Sequence, residues 1–291
     1  MSRFATSCRQ AADVFGHSPV TIGRSFKIVI RALLDPQLYQ KYISLPSRLQ
    51  EVPTRIKEDP ALYPFFKTVI GAIDGSHVPA HAPVHMRDRF WNRKGYTSFN
   101  VLAACDFDMK IMYILSGWEG STSDSFLWKK ALGSGLRLRG KERLLGDAGF
   151  PLSQRLLIPY RGVRYHLKEF GTGMQRPRNA KELYNRRHAG ARNVVERTFG
   201  VLQARFRVLV AGCNFDIQTQ ADVFPALALV HNVIREHDPT EDLDAHSQGQ
   251  ERRDQGQQRG DQHTQTAEAR RAAIYRNCIS NKMWQKYRTQ I

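Results

Sequence analysis

The sequence lacks several features that would place the chain in familiar classes of protein. Its four cysteines, at positions 8, 105, 213 and 278, lie far apart and form no CxxC pair. Zinc sites and disulfide frameworks use characteristic cysteine spacings, so we predict neither, and a reducing compartment is the simplest interpretation. No apolar run approaches the roughly 18 residues that a membrane helix needs, so we expect no membrane partner. The first residues also lack a charged start followed by an apolar block, so no secretory signal is expected.

Acidic residues are scarce relative to basic ones. The 291 residues carry 44 Lys and Arg against 27 Asp and Glu, which gives a net charge of +17. From Glu236 onward, nine acidic and nine basic residues cancel, so the whole excess belongs to residues 1–235. A folded region this basic suits a polyanion such as nucleic acid. Solubility alone, or binding to an acidic protein, is the alternative explanation.

Residues 1–45 predict a partial helix-turn-helix. The segment "RQAADVFG" is typical of a short helix ending at Gly16, and Ser18 followed by Pro19 is the start signal of a second helix. Two helices joined by so tight a turn suit a DNA-binding module and equally an ordinary helical hairpin. The unit looks short, because a complete module needs a further packing helix. The residues that the second helix would offer to DNA are Thr21, Arg24 and Ser25.

From about residue 63 the pattern changes to strands interleaved with helices. Strands are predicted in "FKTVIGAIDG", "SFNVLAACDFD" and "KIMYILSG", with shorter ones in "RLLGDAGF" and "RLLIPY". Helices are predicted in "DSFLWKKAL", in residues 180–210 and in "QADVFPALALVHNVIREH", which starts or kinks near Pro225. This order predicts a mixed α/β domain over residues 63–236. A disordered polar linker over 237–266 and a C-terminal helix over 267–291 are expected to follow.

Four acidic residues occur in settings that suit chemistry. Asp74 and Asp147 each end an apolar strand before a small-residue turn, and Asp124 begins a short helix. Glu196 borders the apolar stripe of a predicted helix, formed by Val195, Phe199, Leu202 and Phe206. Carboxylates that converge at a sheet edge can bind Mg²⁺ or Mn²⁺, which prefer oxygen ligands. Two such ions can activate a water and stabilise the leaving oxygen in phosphodiester cleavage.

Each acid also has a plainer explanation. Asp124 could be only a helix N-cap, and Asp74 and Asp147 could be turn formers beside glycine. Glu196 could be an ion-pair partner of Arg192 or Arg197. These alternatives stay open from the residue pattern alone.

A basic and aromatic segment, "RFWNRKGYTSFN", lies between the first two predicted strands. Basic side chains interleaved with aromatic ones suit contact with phosphates and unstacked bases. The segment is equally compatible with a hairpin tip that carries solvated charges. Its candidate DNA-binding residues are Arg89, Arg93 and Lys94.

Six short motifs occur in a fixed order along the chain. They are "GAIDGSHV", "NRKGYTSFNVLAACD", "GSTSDS", "LLGDAGFPL", "LLIPY" and "VVERTFGVLQARFRVL", and together they span roughly residues 65–235. This set resembles the Harbinger-type DDE transposases and the nucleases derived from them. The resemblance implies an RNase H-like fold, a mixed sheet flanked by helices, and a metal-dependent endonuclease or transposase that acts on DNA.

The resemblance also implies roles for individual residues. Asp74, Asp147 and Glu196 would form the catalytic triad, and Asp124 would be a further metal ligand. The cofactor would be Mg²⁺ or Mn²⁺. From its position on the predicted helix beside Glu196, and not from the resemblance, Arg192 is a candidate for holding DNA across the site. The resemblance further implies a nuclear location and a Myb-like DNA-binding partner protein, and it leaves a homo-oligomer open.

Some positions depart from the family pattern. Ser76 stands where Thr is common, and Glu119 replaces a frequent Pro and adds a charge near the expected metal site. The N-terminal region is shorter than a full family DNA-binding module, so cleavage is better supported than full transposition. Two alternatives remain: a domesticated, catalytically silent DNA-binding protein that keeps the fold, and a basic protein-interaction module that binds no nucleic acid.

Overall fold

The computed structural model describes residues 5–46, 51–164, 176–238 and 267–290. The linker predicted over residues 237–266 lies almost wholly outside these ranges. Within them, no helix is both long enough and apolar enough to cross a membrane.

A five-stranded mixed sheet lies at the centre of the fold, with strand order β3-β2-β1-β4-β5. The strands are β1 (Val69–Pro79), β2 (Ser98–Cys105), β3 (Ile111–Glu119), β4 (Arg143–Leu145) and β5 (Leu156–Leu157). The first three strands pair antiparallel, whereas β4 and β5 run parallel to β1. Pairing between β1 and β4 ends at Ala72 and Leu145, so from Ile73 onward no described strand pairs with that edge of β1.

Helices cover both faces of this sheet, which confirms the predicted mixed α/β class. They are α1 (Cys8–Phe15), α2 (Pro19–Leu33), α3 (Pro36–Tyr42), α4 (Thr54–Lys57), α5 (Arg87–Phe90), α6 (Asp124–Gly133), α7 (Ala180–Arg205), α8 (Val208–Ala211), α9 (Ile217–His237) and α10 (Ala267–Arg288). Helix α9 begins at Ile217 and contains Pro225 in its interior.

Strand alternation separates the two faces of the sheet, because successive side chains of a strand point to opposite sides. In β1, Ala72 and Val78 belong to the cluster that also contains the buried side chains of α7 and α9. Ile73 belongs to the other cluster, together with Leu127 and Trp128 of α6. The sheet therefore has an α7 face and an α6 face.

Helix α7 is held on its face of the sheet by the apolar stripe that the sequence predicts. Val195, Phe199, Leu202 and Phe206 are all buried. Burial of such side chains stabilises a fold by about 1.5–3 kcal/mol each, so the rotation of α7 about its axis is well determined. That rotation fixes where Glu196, the neighbour of Val195, presents its carboxylate.

The N-terminal helices form the predicted hairpin and pack on the rest of the fold. Helix α1 ends at Gly16, whose φ of +64° favours glycine, and Ser18 caps α2 by accepting a hydrogen bond from the Thr21 N–H. Helix α2 contacts the segment before α9, where Phe26 stacks on Phe215 at 4.9 Å and Lys27 pairs with Asp216 at 2.7 Å. A helix-turn-helix that reads DNA stays a prediction.

Candidate active site

Asp74 lies in the middle of β1, opposite Ala103 of β2. It shares strand parity with Ala72, so its side chain points to the α7 face. Its Oδ1 accepts a hydrogen bond from the Gly75 N–H at 2.9 Å, and the side chain is 20% exposed. The uncovered edge of β1 begins one residue earlier, which leaves the carboxylate accessible from the side of β4.

Asp147 reaches the same level of the sheet from the neighbouring strand. The last registered pair of the parallel strands is Ala72 with Leu145, and Asp74 and Asp147 each lie two residues further on. Asp147 also forms its turn, because its Oδ1 accepts a hydrogen bond from the Gly149 N–H at 2.8 Å. The turn-forming explanation and a role in the site are therefore compatible for this residue.

Arg192 of α7 bridges Asp74 and Glu196. Its Nη1 donates to Asp74 Oδ2 at 3.2 Å, and its Nη2 donates to Glu196 Oε1 one helical turn away. The Arg192 side chain is 10% exposed, whereas that of Glu196 is 50% exposed. The guanidinium is thus a buried positive charge between two of the predicted triad carboxylates.

Asp124 reaches β1 from the α6 face. The N-cap of α6 is Ser123, whose hydroxyl accepts from the Phe126 N–H, so the explanation of Asp124 as only an N-cap is wrong. A Cβ added at Gly75 would lie 2.5 Å from Asp124 Oδ1, which places this carboxylate directly against the strand. The missing side chain of Gly75 makes room for it.

The four carboxylates form one electrostatic group, which we call the acid cluster: Asp74, Asp124, Asp147 and Glu196. Burial raises the pKa of Asp74 from 3.8 to about 8; Arg192 lowers this pKa, and the other three carboxylates raise it. Like charges act in this way when they are near, so these acids from four separate elements lie close enough to interact electrostatically. Their arrangement as one metal site and their catalytic role stay predictions.

The acid cluster suits a hard divalent cation in its donor chemistry, since carboxylate oxygens are the ligands that Mg²⁺ and Mn²⁺ prefer. In the described part of the chain, no group of three or more His, Cys, Asp or Glu is already arranged to hold a metal ion. The Arg192 guanidinium lies between Asp74 and Glu196, where it supplies a positive charge to both carboxylates.

The predicted DNA-binding residues of the β1–β2 connection form an exposed basic tip. Arg89, Arg93 and Lys94 are all exposed, beside the half-exposed Trp91. Arg89 pairs with Glu119 at 2.5 Å, so the unusual acid at position 119 is neutralised locally. The Ser121 hydroxyl also donates to the Arg89 carbonyl at 3.0 Å, which ties the tip to the segment before Asp124.

The predicted DNA-reading residues of α2 lie apart from the acid cluster. Thr21, Arg24 and Ser25 are exposed on α2, and none of them contacts a member of the cluster by hydrogen bond or ion pair in the described residues. If they bind DNA, they do so on a separate element.

His188, one turn before Arg192 on α7, is structural. It is fully buried, and its Nε2 lies 3.0 Å from the Leu157 carbonyl oxygen. Burial lowers its pKa to about 3, so the imidazole is neutral at physiological pH.

Asn100 of β2 is a residue that motif reasoning missed. It is a buried amide in an otherwise apolar strand, and its Oδ1 has no hydrogen-bond partner in the described structure. The available signal was a polar residue inside the apolar run "SFNVLAAC".

Comparison with known proteins defines the class of this site. A family model described as DDE superfamily endonuclease matches residues 73–232, which is more than half of the chain and includes the whole acid cluster. The chain therefore belongs to the DDE superfamily endonuclease family. The predicted resemblance to Harbinger-type proteins is confirmed at this level.

Several relatives are 25–28% identical to the chain over the aligned residues. "Putative nuclease HARBI1" of Rattus norvegicus is 28% identical over 231 residues, and the human protein of the same name is 26% identical. "Protein ALP1-like" of Arabidopsis thaliana is 25% identical over 243 residues, covering 76% of this chain and 55% of that protein. The match covers 77% of this chain and spans 62% of the length of the two HARBI1 relatives. No solved structure matches significantly.

Proposed function

We propose that the chain is a divalent-metal-dependent DNA endonuclease of the DDE transposase type, with an RNase H-like domain over residues 63–236. It would cleave, and in a transposase also join, phosphodiester bonds. The observation that carries the proposal is the placement of four acids around the middle of β1. Asp147 lies level with Asp74, Arg192 links Asp74 to Glu196, and Asp124 lies against Gly75. The mixed sheet with helices on both faces is compatible with the RNase H-like fold.

The acid cluster would hold the metal through Asp74, Asp147 and Glu196, with Asp124 as a further ligand. Bound divalent ions would supply activation of the attacking hydroxyl and stabilisation of the leaving oxygen. The protein's own contribution is placement, because β1, the turn after β4, and α7 are each fixed by buried neighbours. Arg192 would leave Asp74 when the cation enters, and its guanidinium would then be available to a DNA phosphate.

DNA would approach across the basic surface. The excess charge of +17 supports this, as do the exposed Arg89, Arg93 and Lys94 beside Trp91. Phosphate contacts of this kind position a duplex without reading its sequence. Thr21, Arg24 and Ser25 of the N-terminal hairpin would add contacts further along the DNA.

Purified full-length protein and a supercoiled plasmid test the proposal. We expect nicking that requires Mg²⁺ or Mn²⁺ and is abolished in Asp147→Asn. Asp108→Asn makes the same chemical change at an exposed turn and should cut like the parent protein. Equal cutting by the parent and Asp147→Asn would overturn the assignment of the triad.

A specific observation also favours a second candidate, the catalytically silent DNA-binding protein. Arg192 already neutralises two of the carboxylates, and the described residues contain no preformed metal group. Tight DNA binding without cleavage in any divalent metal would select this candidate.

Location and partners follow from the same proposal. Action on chromosomal DNA would place the chain in the nucleus, with a Myb-like DNA-binding protein as its partner and with self-association as a further option. A co-precipitation that recovers no DNA-binding protein would count against the partner.

A further inference from the structure

The α6 face of β1 and β2 carries a buried oxygen that the proposed nuclease site does not use. Asn100 is 2% exposed, and its Oδ1 is buried without a hydrogen-bond partner in the described structure. Buried polar atoms are nearly always satisfied, because an unpaired one costs about 1–3 kcal/mol. An atom left in this state needs a physical explanation.

The orientation of the Asn100 amide is fixed by its other end. Its Nδ2 donates to the Thr122 carbonyl oxygen at 2.9 Å. A carbonyl oxygen can only accept, so a flipped amide would set two acceptors against each other. The Oδ1 must therefore point the other way.

Asn100 Oδ1 lies on the same side of Gly75 as Asp124 Oδ1. A Cβ added at Gly75 would lie 3.3 Å from Asn100 Oδ1 and 2.5 Å from Asp124 Oδ1, so both oxygens face one small volume beside the strand. Two acceptor oxygens, one of them on a carboxylate, create a negative potential there. A hard cation would give Asn100 Oδ1 the partner that it lacks, and such cations take amide as well as carboxylate oxygens as ligands.

We propose that Asn100 Oδ1 and Asp124 Oδ1 are ligands of one divalent cation that lies beside Gly75 on the α6 face of β1. This inference rests on the proposed function, which already counts Asp124 as a metal ligand, and it adds an uncharged ligand from β2. It also gives Gly75 a role, since a Cβ there would lie 2.5 Å from Asp124 Oδ1 and would push this carboxylate out of place.

Mn²⁺ binding to the full-length protein, measured by electron paramagnetic resonance and by thermal shift, tests the inference without any cleavage readout. Asn100→Leu removes the oxygen, and Asn100→Asp keeps an oxygen but loses the donor to Thr122. Gly75→Ala displaces the Asp124 carboxylate while leaving Asn100 intact. Gly133→Ala on α6 is the matched control, because a Cβ there meets nothing within 4 Å.

We expect Asn100→Leu and Gly75→Ala to weaken Mn²⁺ binding about 10-fold or more, while Asn100→Asp and Gly133→Ala bind at least as tightly as the parent protein. If Asn100→Leu does not fold, Asn100→Asp decides the question, because Mn²⁺ binding weaker than that of the parent protein would overturn the inference. Asn100→Asp as weak as Asn100→Leu would mean that Asn100 only anchors the loop before α6, which overturns the inference.

Two other outcomes separate this inference from the proposed function. If Asn100→Leu and Gly75→Ala titrate like the parent while Asp147→Asn loses Mn²⁺ and cleavage, the nuclease assignment stands and Asn100 Oδ1 meets only water. If the parent protein binds no Mn²⁺ at all, both proposals fail.

Discussion

Removal of Arg192 is the most informative single perturbation, because this side chain holds the acid cluster together without a metal. Arg192→Gln would leave Asp74 and Glu196 facing each other with no positive charge between them. The control is Lys181→Gln, which makes the same charge change at an exposed position near the start of α7.

The magnitude follows from the two contacts that are lost. Opposite charges 3.2 Å apart attract by about 5 kcal/mol at an effective dielectric constant of 20, before any desolvation cost. A hydrogen bond to a charged group contributes about 1.5–3 kcal/mol net. The Arg192–Glu196 contact should contribute no more than the low end of this range, because Glu196 is half exposed to solvent. We therefore expect Arg192→Gln to lower the free energy of unfolding by about 2–4 kcal/mol in EDTA. The unfolding measurement should be made at pH 9, because Asp74 has a pKa of about 8 in the fold and is charged only above that pH.

Added Mn²⁺ should then stabilise Arg192→Gln more strongly than it stabilises the parent protein. In the parent, the ion must displace Arg192, whereas in the variant nothing occupies its place. Two kcal/mol corresponds to roughly 30-fold in affinity, so urea unfolding should show Mn²⁺ binding at least about 30-fold tighter to the variant. An equal loss of stability in Lys181→Gln, or stronger Mn²⁺ stabilisation of the parent, would refute the reasoning.

Three further predictions concern stability and DNA contact. Burial holds the pKa of His188 near 3 instead of 6.5, so between these values the unfolded chain binds one proton more, and stability falls as pH drops. Urea unfolding should show a free energy of unfolding about 2–3 kcal/mol lower at pH 4.5 than at pH 7 because of His188. His188→Gln should remove this pH-dependent difference, and the same pH dependence in the variant would contradict the prediction. Gly200→Ala on α7 should stabilise the chain by about 0.5–1 kcal/mol in urea, because a Cβ there meets no atom within 4 Å; destabilisation would count against an open position. Arg93→Gln with Lys94→Gln should lower the salt slope of DNA binding by about 1 per lost phosphate contact in fluorescence anisotropy, whereas Lys57→Gln on α4 should not; equal slopes would exclude the tip from the interface.

The features that the sequence predicts well are local and periodic. The stripe of Val195, Phe199, Leu202 and Phe206 repeats at helical spacing, so the buried face of α7 follows from the sequence alone. The polar turn after an apolar strand likewise identifies Asp147, which follows β4. The expectation that Asp74 ends its strand is wrong, because β1 continues through Gly75 to Pro79 by pairing with β2.

The sequence does not determine features that depend on contacts between distant segments, or on which of two adjacent residues begins a helix. Ser123 and Asp124 are both good N-caps, and only the structure shows that Ser123 caps α6 and leaves Asp124 for the cluster. The bridging position of Arg192 requires the rotation of α7 against β1, which no local pattern contains. Pro225 is typical of a helix start, but α9 begins at Ile217 and continues past Pro225. The neighbouring Phe224 and Ala226 are buried, and their packing stabilises the helix at this position.

Diffraction from crystals grown with Mn²⁺, measured at a wavelength where manganese scatters anomalously, tests the central claim most directly. We predict an anomalous peak bound by the carboxylates of Asp74, Asp147 and Glu196, with the Arg192 guanidinium moved away from Asp74. Arg192 still bridging Asp74 and Glu196, with no peak among the acids, would contradict it.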